Sequence, residues 1–181
     1  MKKLIFCVIL FSILNFSNKG FADNGCSVMN LTTIAEGTYN LVITNPYSNS
    51  PETVFAGAVN AVVDGNAGKV YCIDLDHNVN VPSPPFNDSG FANPSVSYIT
   101  MHYFPYLPFP YAGAMADVNR EAAAIQLAIW QFTDNVDPLT LVGNTDIRDR
   151  AIQIIADANL HAGVFQPFRP LQIIGFSIVH N

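Results

Sequence analysis

Two residues of this chain sit where their chemistry needs an explanation. In the run Glu121-Ala-Ala-Ala-Ile-Gln126-Leu-Ala-Ile-Trp130-Gln-Phe132, a helical step of about 100° places Gln126 within the arc of Ile125, Ile129, Ala122, Thr133 and Trp130. Arg120 and Gln131 fall on the opposite side. A buried amide without a partner costs roughly 1 to 3 kcal/mol, so it is either satisfied by a neighbour or consumed by a reaction. The second residue is Cys72, a thiol inside the apolar stretch Lys69 to Leu75. As the nucleophile of a hydrolase it would need a base, and His77 and His102 are the candidates. On a strand, His77 is an odd number of positions from Cys72 and starts on the other face, and no glycine-rich nucleophile turn precedes the cysteine. The chain is therefore not read as an enzyme. His161 and His180 fall near element ends. Asp74-x-Asp76-x-Asn78 has the spacing that opens a calcium loop, but Val79 stands where glycine is required and Pro85 where glutamate should be. No metal and no cofactor are expected.

The elements that position these residues follow from periodicity. Thr38 to Thr44 and Thr53 to Val63 alternate and carry β-branched residues, with turn-formers Asn45-Pro46 and Asn49-Ser50-Pro51 between them. Asp64 to Gly68 closes a hairpin onto Lys69 to Leu75, which makes Cys72 a mid-strand residue. Asp76 to Pro94 reads as a loop, Ser95 to Phe104 as a strand, and the proline and aromatic segment after it cannot be helical. Asp117 or Asn119 caps a helix that runs to about Thr133. Thr145 caps a second helix, with Ile147, Ala151, Ile155 and Ala158 at helical spacing, ending near Gly163. Leu171 to Val179 closes the chain as a strand. The fold class is α+β: an antiparallel sheet or sandwich with a helical insertion packed against it. The β part spans about 30–104 plus 170–180 and the helical part about 117–163. In that arrangement Gln126 points at strand residues.

Residues 1–22 have the layout of a secretory signal peptide: Lys2 and Lys3, the apolar run Leu4 to Leu14, and a small-residue site at Gly20-Phe21-Ala22. The run is shorter than a membrane span requires, so residues 23–181 are expected as one secreted or cell-surface domain without membrane insertion. Loss of Lys2, Lys3 and Lys19 leaves five basic residues against 14 acidic ones, which argues against nucleic acid as a partner. Cys7 leaves with the leader. The remaining pair, Cys26 and Cys72, is the default disulfide of an exported chain, although Cys26 lies close to the expected mature N-terminus, where chains are often loose.

Tyr71-Cys72-Ile73-Asp74, followed after a loop by Gln126-Leu127-Ala128-Ile129-Trp130, resembles the two signatures of the bacterial thioester domains found on surface adhesins. The resemblance covers most of the chain beyond the leader in order and element type. It implies an internal thioester, formed with loss of ammonia, in which Cys72 supplies the sulfur and Gln126 the carbonyl carbon at the interface of sheet and helices. Their separation of 54 positions distinguishes this pattern from complement-type thioester proteins, whose cysteine and glutamine are almost adjacent. It further implies covalent capture of a protein bearing an accessible amine, a lysine on a host or neighbouring surface protein. Tyr71 and Trp130 would support and dry the bond, and His102 would assist as base. The alternative is a non-covalent secreted binding module with a Cys26–Cys72 disulfide.

Overall fold

The computed structural model describes residues 28–77, 80–88 and 93–162, together with the short strands Val8–Leu10 and Phe176–Ser177. The expected cleavage site, Cys26 and most of the expected closing strand lie outside the described residues.

The sheet is built around one long hairpin. Strand β2 (Val28–Asn45) and strand β3 (Ser50–Val63) pair antiparallel, from Met29 opposite Val63 to Asn45 opposite Ser50. The Asn45 side chain accepts from the Tyr47 N–H at 2.8 Å and Asn49 takes φ 50°, which makes the turn. Asp64 and Gly65, at φ 49° and 81°, form the two-residue turn the sequence predicts, and it leads into β4 (Asn66–Tyr71). With β1 (Val8–Leu10), β5 (Phe86–Asp88) and β6 (Phe176–Ser177), the antiparallel order is β1-β4-β3-β2-β5-β6. The residues of β1 come from the segment read as a leader. Gly37 lies opposite Gly57, where β2 is irregular. A Cβ on Gly57, which takes φ +156°, would stand 2.4 Å from the Gly37 Cα, so this close approach requires glycine.

Among the described residues, three α-helices follow. The strand expected over Ser95–Phe104 is instead helix α1 (Pro94–His102). The Asn93 side chain accepts from the N–H groups of Ser95 and Val96, and Pro94 supplies the preset φ of a first helical residue. These start signals outweigh the strand preference of Val96, Tyr98, Ile99 and Thr100. Helix α2 (Val118–Thr133) begins at Asp117, whose carboxylate accepts from the Asn119 N–H at 2.8 Å. Helix α3 (Thr145–His161) begins one residue earlier than the expected cap, at Asn144 in a left-handed conformation, without a side-chain capping bond.

Helix α2 is the middle layer: it packs on β2 and β3 and carries α3 on its other side. Every residue from Glu121 to Trp130 is buried, as expected of a helix with neighbours all round. The apolar core runs through it, from Leu41, Ile43 and Val59 of the sheet to Ile147 and Ile154 of α3.

Candidate functional site

Gln126 and Cys72 meet at the seam between β4 and α2. Cys72 is the first residue beyond β4, not a mid-strand residue, because the ladder with β3 ends near Tyr71. Its backbone finds another partner. The Cys72 N–H donates to Gln126 Oε1 at 2.7 Å, and Gln126 Nε2 donates to the Cys72 carbonyl at 2.6 Å. The side-chain amide thus completes the sheet edge as a neighbouring strand would. Its orientation is fixed by chemistry, since a backbone N–H only donates and a carbonyl only accepts. Gln126 is 1% exposed and Cys72 9%. The Cys72 thiol donates to the Asp74 carbonyl at 3.3 Å.

The arrangement holds an acyl carbon against the residue that carries the thiol, in a site from which water is largely excluded. The Cys72 N–H already points at the oxygen on which negative charge would develop during attack at the Gln126 carbonyl carbon. The fold already holds the two residues in contact, so little translational freedom has to be lost to bring them together.

Three further clamps fix this seam, and of their central residues only Tyr71 is singled out from the sequence. Asp134, at the end of α2, is buried and accepts from the Leu75 N–H at 3.1 Å, the Tyr47 hydroxyl at 2.8 Å and the Thr133 hydroxyl at 2.6 Å. It joins the segment after Cys72 to the helix that carries Gln126. Burial raises its pKa above the ordinary carboxylate value, against the opposing hydrogen bonds from Thr133, Leu75 and Tyr47. Tyr47 is pushed up to about 12 by partial burial and by its bond to Asp134. At the other end of α2, Glu121 is fully buried and pairs with Arg150 of α3 at 2.8 Å. It also takes the Met115 N–H at 3.0 Å and the Tyr111 hydroxyl, which ties in the proline and aromatic segment. The third clamp is Tyr71, fully buried, whose hydroxyl donates to the Phe104 carbonyl at 3.1 Å. The sequence marks Asp134 only as a helix stop and Glu121 only as a first-turn acid.

Trp130 lies one turn beyond Gln126 on the same face of α2 and is 1% exposed. Its indole N–H has no hydrogen-bond partner among the described residues. His102 sits exposed at the end of α1, stacked on Tyr98 with ring centroids 4.1 Å apart, its Nδ1 2.9 Å from the Tyr98 carbonyl. Tyr98 also stacks on His161, and its hydroxyl donates to Asp157 at 3.0 Å. These contacts join His102 to the α1 and α3 side of the molecule. Asp74 closes its own turn, accepting from the N–H groups of Asp76 and His77 and pairing with His77 Nδ1 at 2.6 Å.

A family model described as "Thioester domain" matches residues 69–160, just over half of the chain, and includes both Cys72 and Gln126. The chain belongs to the thioester domain family. Such thioester domains are typically carried by bacterial surface proteins and bind amine-bearing proteins covalently. A solved structure, the Bacillus anthracis TIE protein, is similar to this thioester domain with a TM-score of 0.54 and 16% identity. The match covers 75% of this chain and 24% of that one, so this thioester domain spans about a quarter of the TIE protein's length, and at this identity the likeness speaks for the fold. No curated protein matches. Among the described residues, no helix is long and apolar enough to cross a membrane.

Proposed function

We propose that this domain is exported and forms an internal thioester between Cys72 and Gln126, through which it captures a lysine amine of a partner protein at a cell surface, in the manner of an adhesin and without turnover. The observation that carries this reading is the two-point contact between the Gln126 amide and the Cys72 backbone. In formation, the Cys72 sulfur attacks the Gln126 carbonyl carbon, the C–N bond breaks, and ammonia leaves with the thiol proton. In capture, an amine nitrogen attacks the same carbon, the C–S bond breaks, and the amine proton passes to the departing sulfur. The Cys72 N–H serves the oxygen in both directions. A lysine amine is roughly one part in a few thousand deprotonated at pH 7, so a base or local desolvation has to assist.

Incubation with biotin cadaverine followed by peptide mass analysis tests the reading. Label should appear on Gln126 in the wild-type domain and be absent from Cys72→Ala. Label elsewhere, or equal label on both proteins, would contradict it.

A further inference from the structure

The hydrogen bonds of Gln126 carry information about the linked product, resting on the thioester reading above. Cys72 offers its N–H and its carbonyl side by side along one edge, and Gln126 meets them with Oε1 and Nε2 at 2.7 and 2.6 Å. For an amide to accept through its oxygen and donate through its nitrogen toward one edge, C=O and N–H must point the same way. The donating hydrogen is therefore the one cis to the oxygen. A primary amide has such a hydrogen. A secondary amide in its trans form does not, because its single N–H points opposite to the C=O and the substituent carbon takes the cis place. The alternative form, which keeps that hydrogen, is strongly disfavoured.

We infer that covalent capture unlatches Gln126 from Cys72: the amide formed with a lysine cannot retain the hydrogen bond to the Cys72 carbonyl, so the linked side chain turns away from the strand end and leaves that carbonyl to another donor. By microscopic reversibility, the nitrogen of an incoming amine enters where ammonia departed, beside the Cys72 carbonyl. During attack it keeps an N–H toward that oxygen, because rotation about the new C–N bond is still free at the tetrahedral stage. Collapse to a planar trans amide then directs the lysine carbon at the carbonyl from a nitrogen 2.6 Å away, where it does not fit. Ammonia is the exception. Its product is Gln126 itself, and the latch closes again.

The test compares two nucleophiles on one protein. Wild-type domain in the thioester form is split with ¹⁵N-ammonium in one sample and ¹⁵N-methylamine in the other. Each product is checked by intact mass before ¹⁵N-resolved hydrogen exchange is read at the labelled nitrogen. The ammonia product should show one protected hydrogen, the one cis to the oxygen. The single N–H of the methylamine product should exchange about tenfold faster or more, as expected for a lost internal bond, and show a close contact to the Gln126 Cγ hydrogens, the mark of a trans amide. A methylamine product with a protected N–H and its methyl group against Cγ would overturn this inference while leaving covalent capture standing. A protein that takes up neither nucleophile would remove both.

Discussion

Cys72 brings three groups to the site, and only its thiol is visible in the sequence. The N–H and carbonyl hold the intact Gln126 amide without help from the sulfur, so substitutions at the two positions are not equivalent. Both Cys72→Ala and Gln126→Ala abolish a cross-link spanning 54 residues, which is worth roughly 4 kcal/mol if it behaves like a disulfide of that span. Relative to Cys72→Ala, which keeps the intact amide, Gln126→Ala also loses both hydrogen bonds to the backbone of residue 72, a further cost of about 1 to 3 kcal/mol for each group left unsatisfied. Denaturant unfolding should therefore rank wild type above Cys72→Ala and Cys72→Ala above Gln126→Ala. The double variant should fall close to Gln126→Ala. Additive losses would mean that the two residues act as independent core contacts.

At the level of elements, the seam is set by carboxylates at both ends of α2. Asp134 holds the segment after Cys72 through the Leu75 N–H. Its folded pKa is raised, chiefly by burial, so the folded state keeps a proton at pH values where the unfolded chain has lost it. Its contribution to stability is thus present at low pH and lost as pH rises from about 3.9, the ordinary value, through the raised one. Thermal melts in a Cys72→Ala background should show Asp134→Asn gaining on its parent across that window, and a difference independent of pH would refute the assignment. At the other end, Arg150→Met leaves the Glu121 carboxylate buried without its cation. By chemical denaturation this should cost roughly 3 to 5 kcal/mol, whereas Glu121→Gln combined with Arg150→Met should recover much of the loss. That Gln126 faces the strands was legible from its place on the helix, its meeting with Cys72 only through the resemblance of the two motifs, and the Asp64-Gly65 hairpin from its turn residues. Helix α1 was misread because Val96, Tyr98, Ile99 and Thr100 favour strands, although Asn93-Pro94 carried the opposite signal. The clamps at Asp134 and Glu121, and the bond from Tyr71 to the Phe104 carbonyl, were illegible for another reason: each acts on backbone or side chains far away in sequence, and only the fold brings these together.

On the scale of the whole molecule, one central helix spans from sheet to outer helix, and the reactive pair lies where that helix meets the end of β4. The α+β class and the layering of helices on an antiparallel sheet followed from the order of strand and helix periods. The family match fixes the kind of domain, and export, partner and adhesion remain parts of the proposal. Its central claim is a covalent bond between Cys72 and Gln126, and intact mass of the purified wild-type domain, handled gently near neutral pH, tests it most directly. Thioester formation expels ammonia and lowers the mass by about 17 Da, whereas a Cys26–Cys72 disulfide lowers it by only about 2 Da. The account predicts the larger loss, followed on addition of methylamine by a gain of about 31 Da and the appearance of one thiol, both absent from Cys72→Ala. A wild-type protein at full sequence mass that ignores methylamine would contradict it and leave Gln126 as an amide satisfied by the Cys72 backbone.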